Sequence, residues 1–131
     1  MHHRELVNPP GLHPAPGFSH VAIASGTKVV HFAGQVALAA DFALVGEGDL
    51  EAQTRAAMEN LKVAMNAAGV GWGDVVRRTI YTLHPTEYET ITRAIDEVTG
   101  GAEHPAQTIV GVTGLAVPGL VIEIECTAVL A

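Results

Sequence analysis

Apolar positions change their spacing along this chain, and each change predicts an element. Between Leu50 and Ala68 the positions Leu50, Ala57, Met58, Leu61, Met65 and Ala68 recur at three- and four-residue intervals, which lays them on one helical face. Asp49 is placed to cap this helix and Gly69 to end it. Tyr88, Ile91, Ile95 and Val98 mark the face of a shorter helix that stops at Gly100-Gly101, and Thr86 and Glu89 have capping-box spacing at its start. Elsewhere the period is two. Phe18 to Ser25 and Lys28 to Phe32 predict a hairpin turning at Ser25-Gly26-Thr27, with Gly26 supplying a positive φ. Val75 to Leu83 predicts a third strand. Ala106 to Leu115 and Leu120 to Leu130, separated by Val117-Pro118-Gly119, predict the last two.

Residues 1–17 hold Pro9, Pro10, Gly11, Pro14, Pro16 and Gly17, so they are expected to form an extended, irregular arm before a single domain over 18–131. The order β-β-α-β-α-β-β predicts an α+β fold. Two amphipathic helices need a sheet to lie on, so both are expected on one face of a mixed β-sheet, leaving the other face to meet something else.

Composition narrows the functional classes. The chain has 131 residues, 48% of them hydrophobic, enough for one core. Its formal charge is -7, with only seven Lys and Arg, and they are scattered. Such a surface repels phosphate backbones, so no nucleic-acid partner is expected. Gly, Pro, Glu or His interrupts every apolar stretch before it reaches the length of a membrane span, so no membrane partner is expected either. A lone cysteine, Cys126, and no charged-then-apolar leader predict a cytoplasmic protein. Cys126 alternates toward the apolar side of its strand and is expected to be a buried, inert thiol.

The seven histidines show no pair at helical ligand spacing, so no metal is expected. His20 and His31 lie on the two strands of the predicted hairpin, where they could face each other as a satisfied or exposed pair rather than as metal ligands. Gly69-Val70-Gly71-Trp72-Gly73 joins a helix to a strand, the reverse of the order that aims backbone N–H groups at phosphate. It predicts a turn with Trp72 packed beneath it.

In Val121-Ile122-Glu123-Ile124-Glu125 the two acids share one strand face with Val121 and Thr127, opposite Ile122, Ile124, Cys126 and Ala128. That face is either wet or a site. This run, with Ala33-Gly34-Gln35, Gln53 with Asn60-Leu61, and Pro105-Ala106-Gln107, resembles the RidA family, YjgF-like proteins historically described as endoribonuclease L-PSP, from about Asn8 to the C-terminus. The resemblance implies a chorismate-mutase-like fold and a homotrimer in which the uncovered sheet faces pack together, with small-molecule clefts between subunits and no cofactor. It also implies that Glu123 positions the water that attacks an imine carbon, and that Phe18, Ala33, Gly34, Thr92 and Gln107 line the cleft as substrate-binding positions.

Several of these positions depart from the family pattern. Gln107 stands where the family has an arginine that clamps the substrate carboxylate with two parallel hydrogen bonds. Losing such a pair costs about 2 to 5 kcal/mol. Phe18 replaces a tyrosine, Ala33 a serine and Thr92 an asparagine, so the cleft is expected to persist with a less polar ligand. The leading expectation is a trimer that binds or hydrolyses a non-standard metabolite, with Gln107→Arg speeding hydrolysis of 2-iminopropanoate. The alternative is an enamine/imine deaminase acting on 2-imino acids, with Arg78 or Arg93 in place of the missing guanidinium.

Overall fold

The structure is a computed structural model and describes residues 3–131. Its elements are β1 (Arg4–Val7), β2 (Val21–Ala24), β3 (Lys28–Gln35), α1 (Leu50–Ala68), β4 (Val75–Thr82), α2 (Tyr88–Thr99), β5 (Ala106–Gly111) and β6 (Ile122–Leu130), with a single 3-10 turn at Trp72–Asp74 before β4. The main sheet has the order β3-β6-β4-β5. β6 runs antiparallel to both its neighbours, and β4 and β5 are parallel, joined by a crossover through α2. The fold is therefore the expected α+β arrangement of two helices on a mixed sheet. Met58, Leu61, Met65, Ile91 and Ile95 of the helices meet Ile80, Ile122, Ile124 and Cys126 of the strands in one core.

α1 begins and ends where the pattern predicts. Asp49 accepts a hydrogen bond from the Ala52 amide at 3.0 Å, and Gly69 closes the helix at φ 70°. Gln53, fully buried, joins the helix to two loops: its amide nitrogen donates to the Gly46 and Gly119 carbonyls and its oxygen accepts from the Val121 amide. Asn60 donates to the Val36 and Leu38 carbonyls. These two residues hold the loop that follows β3.

Three local expectations are corrected. The predicted hairpin does not form: β2 pairs with β1, whose Arg4–Val7 lies inside the expected irregular arm, while β3 pairs with β6. Better partners captured both strands, and the intervening residues cross between sheets. There Gly26 is needed for a close approach rather than for φ, since a Cβ would fall 2.0 Å from the Leu130 carbonyl oxygen. The capping box also fails. α2 starts at Tyr88 with Glu87 at its cap and no side-chain cap bond, which puts Thr86 one residue too early. β5 stops at Gly111, short of the predicted Leu115, where the ladder with β4 ends at Thr82.

Replacing Asp49 by Ala removes one cap bond, and chemical denaturation should read a loss of about 1 kcal/mol.

Candidate functional site

β4 lies between β6 and β5, so its register decides which side chains share a face. Arg78 pairs with Cys126 on one side and Gln107 on the other, all on the helix-covered face. Tyr81 pairs with Glu123, and Thr79 with Glu125, on the open face. Gln107 and Glu123 thus stand on opposite faces of one sheet.

On the helix side, a cavity of about 520 Å³ opens between β5, α2 and the segment before β2. Gln107, Ile109, Thr92, Phe18 and Tyr88 line it, with His13 and three prolines. Ser19 holds this segment in place: its amide bonds to the Pro105 carbonyl and its hydroxyl to the His104 carbonyl. Gly17, at φ 78°, passes so close to Thr92 that a Cβ would lie 2.4 Å from its hydroxyl oxygen.

Behind Gln107 sits Arg78, only 4% exposed. Its Nε donates to Gln107 Oε1 at 2.5 Å, and one Nη donates to the Gly17 carbonyl at 3.1 Å and to His104 Nδ1 at 2.9 Å. His104 Nε2 meets Asp96 Oδ1 at 3.0 Å. A guanidinium can only donate, so His104 Nδ1 must be the acceptor and the ring is neutral with its proton on Nε2. Burial, then the Arg78 charge, hold the His104 pKa below its usual value. Burial likewise pushes the Arg78 pKa down to about 10, which leaves it charged at neutral pH. The Cys126 thiol beside it is pushed up to about 12 by burial, and so stays protonated and inert.

On the open face, β3 carries a bulge between Phe32 and Gln35, so that Ala33 and Gly34 bow away from the regular ladder. The Glu123 carboxylate lies over Gly34, where a Cβ would stand 2.1 Å from Glu123 Oε2. Gly34 is there to make room for that carboxylate. Tyr81 donates its hydroxyl proton to Glu125 Oε1 at 2.5 Å, and this bond is the main reason its own pKa is raised.

The structure thus brings Phe18, Thr92 and Gln107 together, and brings Gly34 and exposed Ala33 beside Glu123, but keeps the two groups apart. Ile109 joins the first group, as the period-two spacing from Gln107 indicates. His104 and Asp96 carry no local sequence signal, because their role arises only where three segments converge. Arg93 pairs with Glu51 on the surface and does not line the cavity. His20 lies against His13 and Phe18, whereas His31 bonds to Thr127 on the other side of the fold, so these two histidines do not face each other. Trp72 packs against the core, as expected of the turn. Among the described residues, no group of three or more His, Cys, Asp or Glu is arranged to hold a metal ion, and no helix is long and apolar enough to cross a membrane.

A two-helix layer on a mixed sheet, with a carboxylate over a glycine bulge, defines a Rid-type domain. The family model for endoribonuclease L-PSP matches residues 10–130, and the chain belongs to this RidA (YjgF-like) family. A Rid family protein of unknown function, YyfB from Yersinia pestis, superposes with a TM-score of 0.90 at 39% identity, over 98% of this chain and 99% of that one. A RutC family protein of Synechocystis is 29% identical over 118 residues, covering 89% of this chain and 90% of its own length. The 2-iminobutanoate/2-iminopropanoate deaminase of Salmonella typhimurium is 32% identical over 83 residues, covering 62% of this chain and 64% of its own.

Because His104 is held neutral, the folded state takes up its proton less readily than the unfolded chain. The stability it secures is complete above about pH 6.5, its ordinary value, and is lost as pH falls through the depressed folded value. Melting temperature should therefore drop more steeply below pH 6.5 in the native protein than in His104→Gln, which has no proton to gain.

Proposed function

We propose that this chain assembles as a homotrimer in which the Gln107 cavity of one copy faces the Gly34–Glu123 bulge of the next, forming a cleft for a small, largely apolar metabolite. The observation that carries this reading is the division of the candidate residues between opposite faces of one sheet. Two copies are needed for one ligand to meet both Gln107 and Glu123. The open face also exposes Val29 (62%) and Val110 (36%), apolar surface that a neighbouring copy would cover.

In such a cleft Glu123 orders or deprotonates a water, which adds to the carbon of a C=N bond. The carbinolamine that forms then expels its nitrogen, as ammonia where the imine carries no further substituent, and becomes a carbonyl. The deaminase relative supports an imine. The apolar walls and the neutral Gln107 favour one without a carboxylate, or the corresponding carbonyl compound as a bound ligand. A second reading, deamination of 2-imino acids, is favoured by one observation: a buried cation, Arg78, stands directly behind Gln107. The historical ribonuclease description fits poorly with a chain of formal charge -7.

Light scattering should give about three times the 13.6 kDa chain mass; a monomeric mass would sink the shared cleft. The structure also changes what Gln107→Arg is expected to do. A second guanidinium at position 107, which is half-buried, faces the Arg78 Nε–H with no acceptor between them, so a like charge is set against a buried one. The single variant should melt lower than the native protein and gain little activity on 2-iminopropanoate generated in situ. Gln107→Arg combined with Arg78→Met should be at least about ten-fold faster than the single variant, a difference of about 1.4 kcal/mol in barrier. A single variant that is both stable and fast would show that Arg78 imposes no such constraint.

A further inference from the structure

We propose that Arg78 acts as a positioning residue that fixes the orientation of the Gln107 amide, so that the cavity selects small apolar ligands bearing a neutral carbonyl oxygen and rejects those that can only donate a hydrogen bond. This deepens the cleft reading above and rests on it in taking the cavity as the ligand site.

An unconstrained glutamine is ambivalent. Its amide offers an acceptor at one end and two donors at the other, and rotation by half a turn exchanges them. Gln107 has lost that freedom. Its oxygen faces Arg78 Nε, which has a hydrogen to give and no lone pair to offer. Rotation would bring N–H against N–H and leave a buried guanidinium hydrogen without an acceptor. Arg78 cannot move aside, because the Gly17 carbonyl and His104 Nδ1 hold one of its Nη groups, and Asp96 holds His104 from behind. Among the described residues the Gln107 side chain is hydrogen-bonded through its oxygen alone, which leaves its NH2 group free on a side chain that lines the cavity.

Two further features narrow the ligand. The cation behind the amide draws electron density toward Oε1 and makes the NH2 a stronger donor, as hydrogen bonds in series do. No Lys, Arg, Asp or Glu lines the cavity, and Phe18, Ile109 and the prolines make its walls apolar. A carboxylate would lose its hydration for neutral partners alone, whereas a carbonyl oxygen needs only one neutral donor. Thr92 and Tyr88 add hydroxyls that can donate or accept, so they do not reverse the selection.

The test uses four five-membered-ring probes of similar size: cyclopentanone as acceptor, pyrrole as donor, cyclopentane as neither, and cyclopentanecarboxylate as anion. Binding is followed through side-chain amide signals in ¹⁵N spectra of the native protein, which has only three glutamines, and the Gln107 pair is assigned by its absence from Gln107→Glu. Cyclopentanone should shift the Gln107 NH2 signals and bind at least about five-fold tighter than each of the other three. Gln107→Glu keeps an acceptor for Arg78 and removes the donor. It should weaken cyclopentanone at least about five-fold and leave cyclopentane unchanged. Arg78→Met, if folded, should let the amide rotate and bring the cyclopentanone-to-pyrrole ratio below about two-fold; if it does not fold, Gln107→Glu carries the test alone.

Pyrrole or the carboxylate binding as tightly as cyclopentanone, an unchanged preference in Gln107→Glu, or no binding by any probe would each overturn the proposal. The trimer mass is measured separately, so failure of the assembly and failure of the amide selection are told apart.

Discussion

The structure depends on how one buried cation is accommodated. Arg78 sits on the central strand with its guanidinium out of water, and a charge in that position is tolerated only if its hydrogens find acceptors. The acceptors come from three distant places: the carbonyl of Gly17 before β2, the ring of His104 after α2, and the amide of Gln107 on β5. Satisfying one side chain therefore closes the N-terminal segment and the helix–strand connection over the same end of the sheet. The walls of the cavity are a consequence of that closure, and so is the neutral state of His104.

The second constraint is the two-sidedness of the sheet. Both helices bury their apolar faces on one side, and alternation along β6 places Ile122, Ile124 and Cys126 there while Glu123 and Glu125 go to the other. A cavity beside α2 and a carboxylate on the open face cannot both meet one small molecule within a single chain. A glycine at the bulge then allows what a side chain would prevent, the close approach of the Glu123 carboxylate to the backbone. An inward-facing amide and an outward-facing acid are sensible parts of one site only if copies of the chain share it.

Much of this was legible beforehand. The spacing of Leu50, Met58, Leu61 and Met65, with Asp49 and Gly69 at the ends, reported α1 to the residue because helix caps and apolar stripes are local properties. The alternation in Val121 to Thr127 correctly separated the acidic from the apolar face. The run Pro105-Ala106-Gln107 and the glutamate run pointed to the RidA family. Strand pairing was not legible: the sequence around Gly26 has the look of a hairpin, yet β1 takes β2 from fewer than about twenty-five residues upstream and β6 takes β3 from roughly a hundred residues downstream. Gln53 and Asn60 were recognisable as a motif, but their work of holding loop carbonyls needed the loops to be seen.

What the sequence by itself determined is the set of elements, the faces of each and the absence of an arginine at position 107, because periodicity, capping and residue identity need no partner to be read. Only the tertiary structure decided that an arginine from the neighbouring strand stands behind Gln107, and that Gln107 and Glu123 point away from each other. Those facts depend on register and on strand order, which arise when distant segments pair and cannot be inferred from the spacing of residues along the chain.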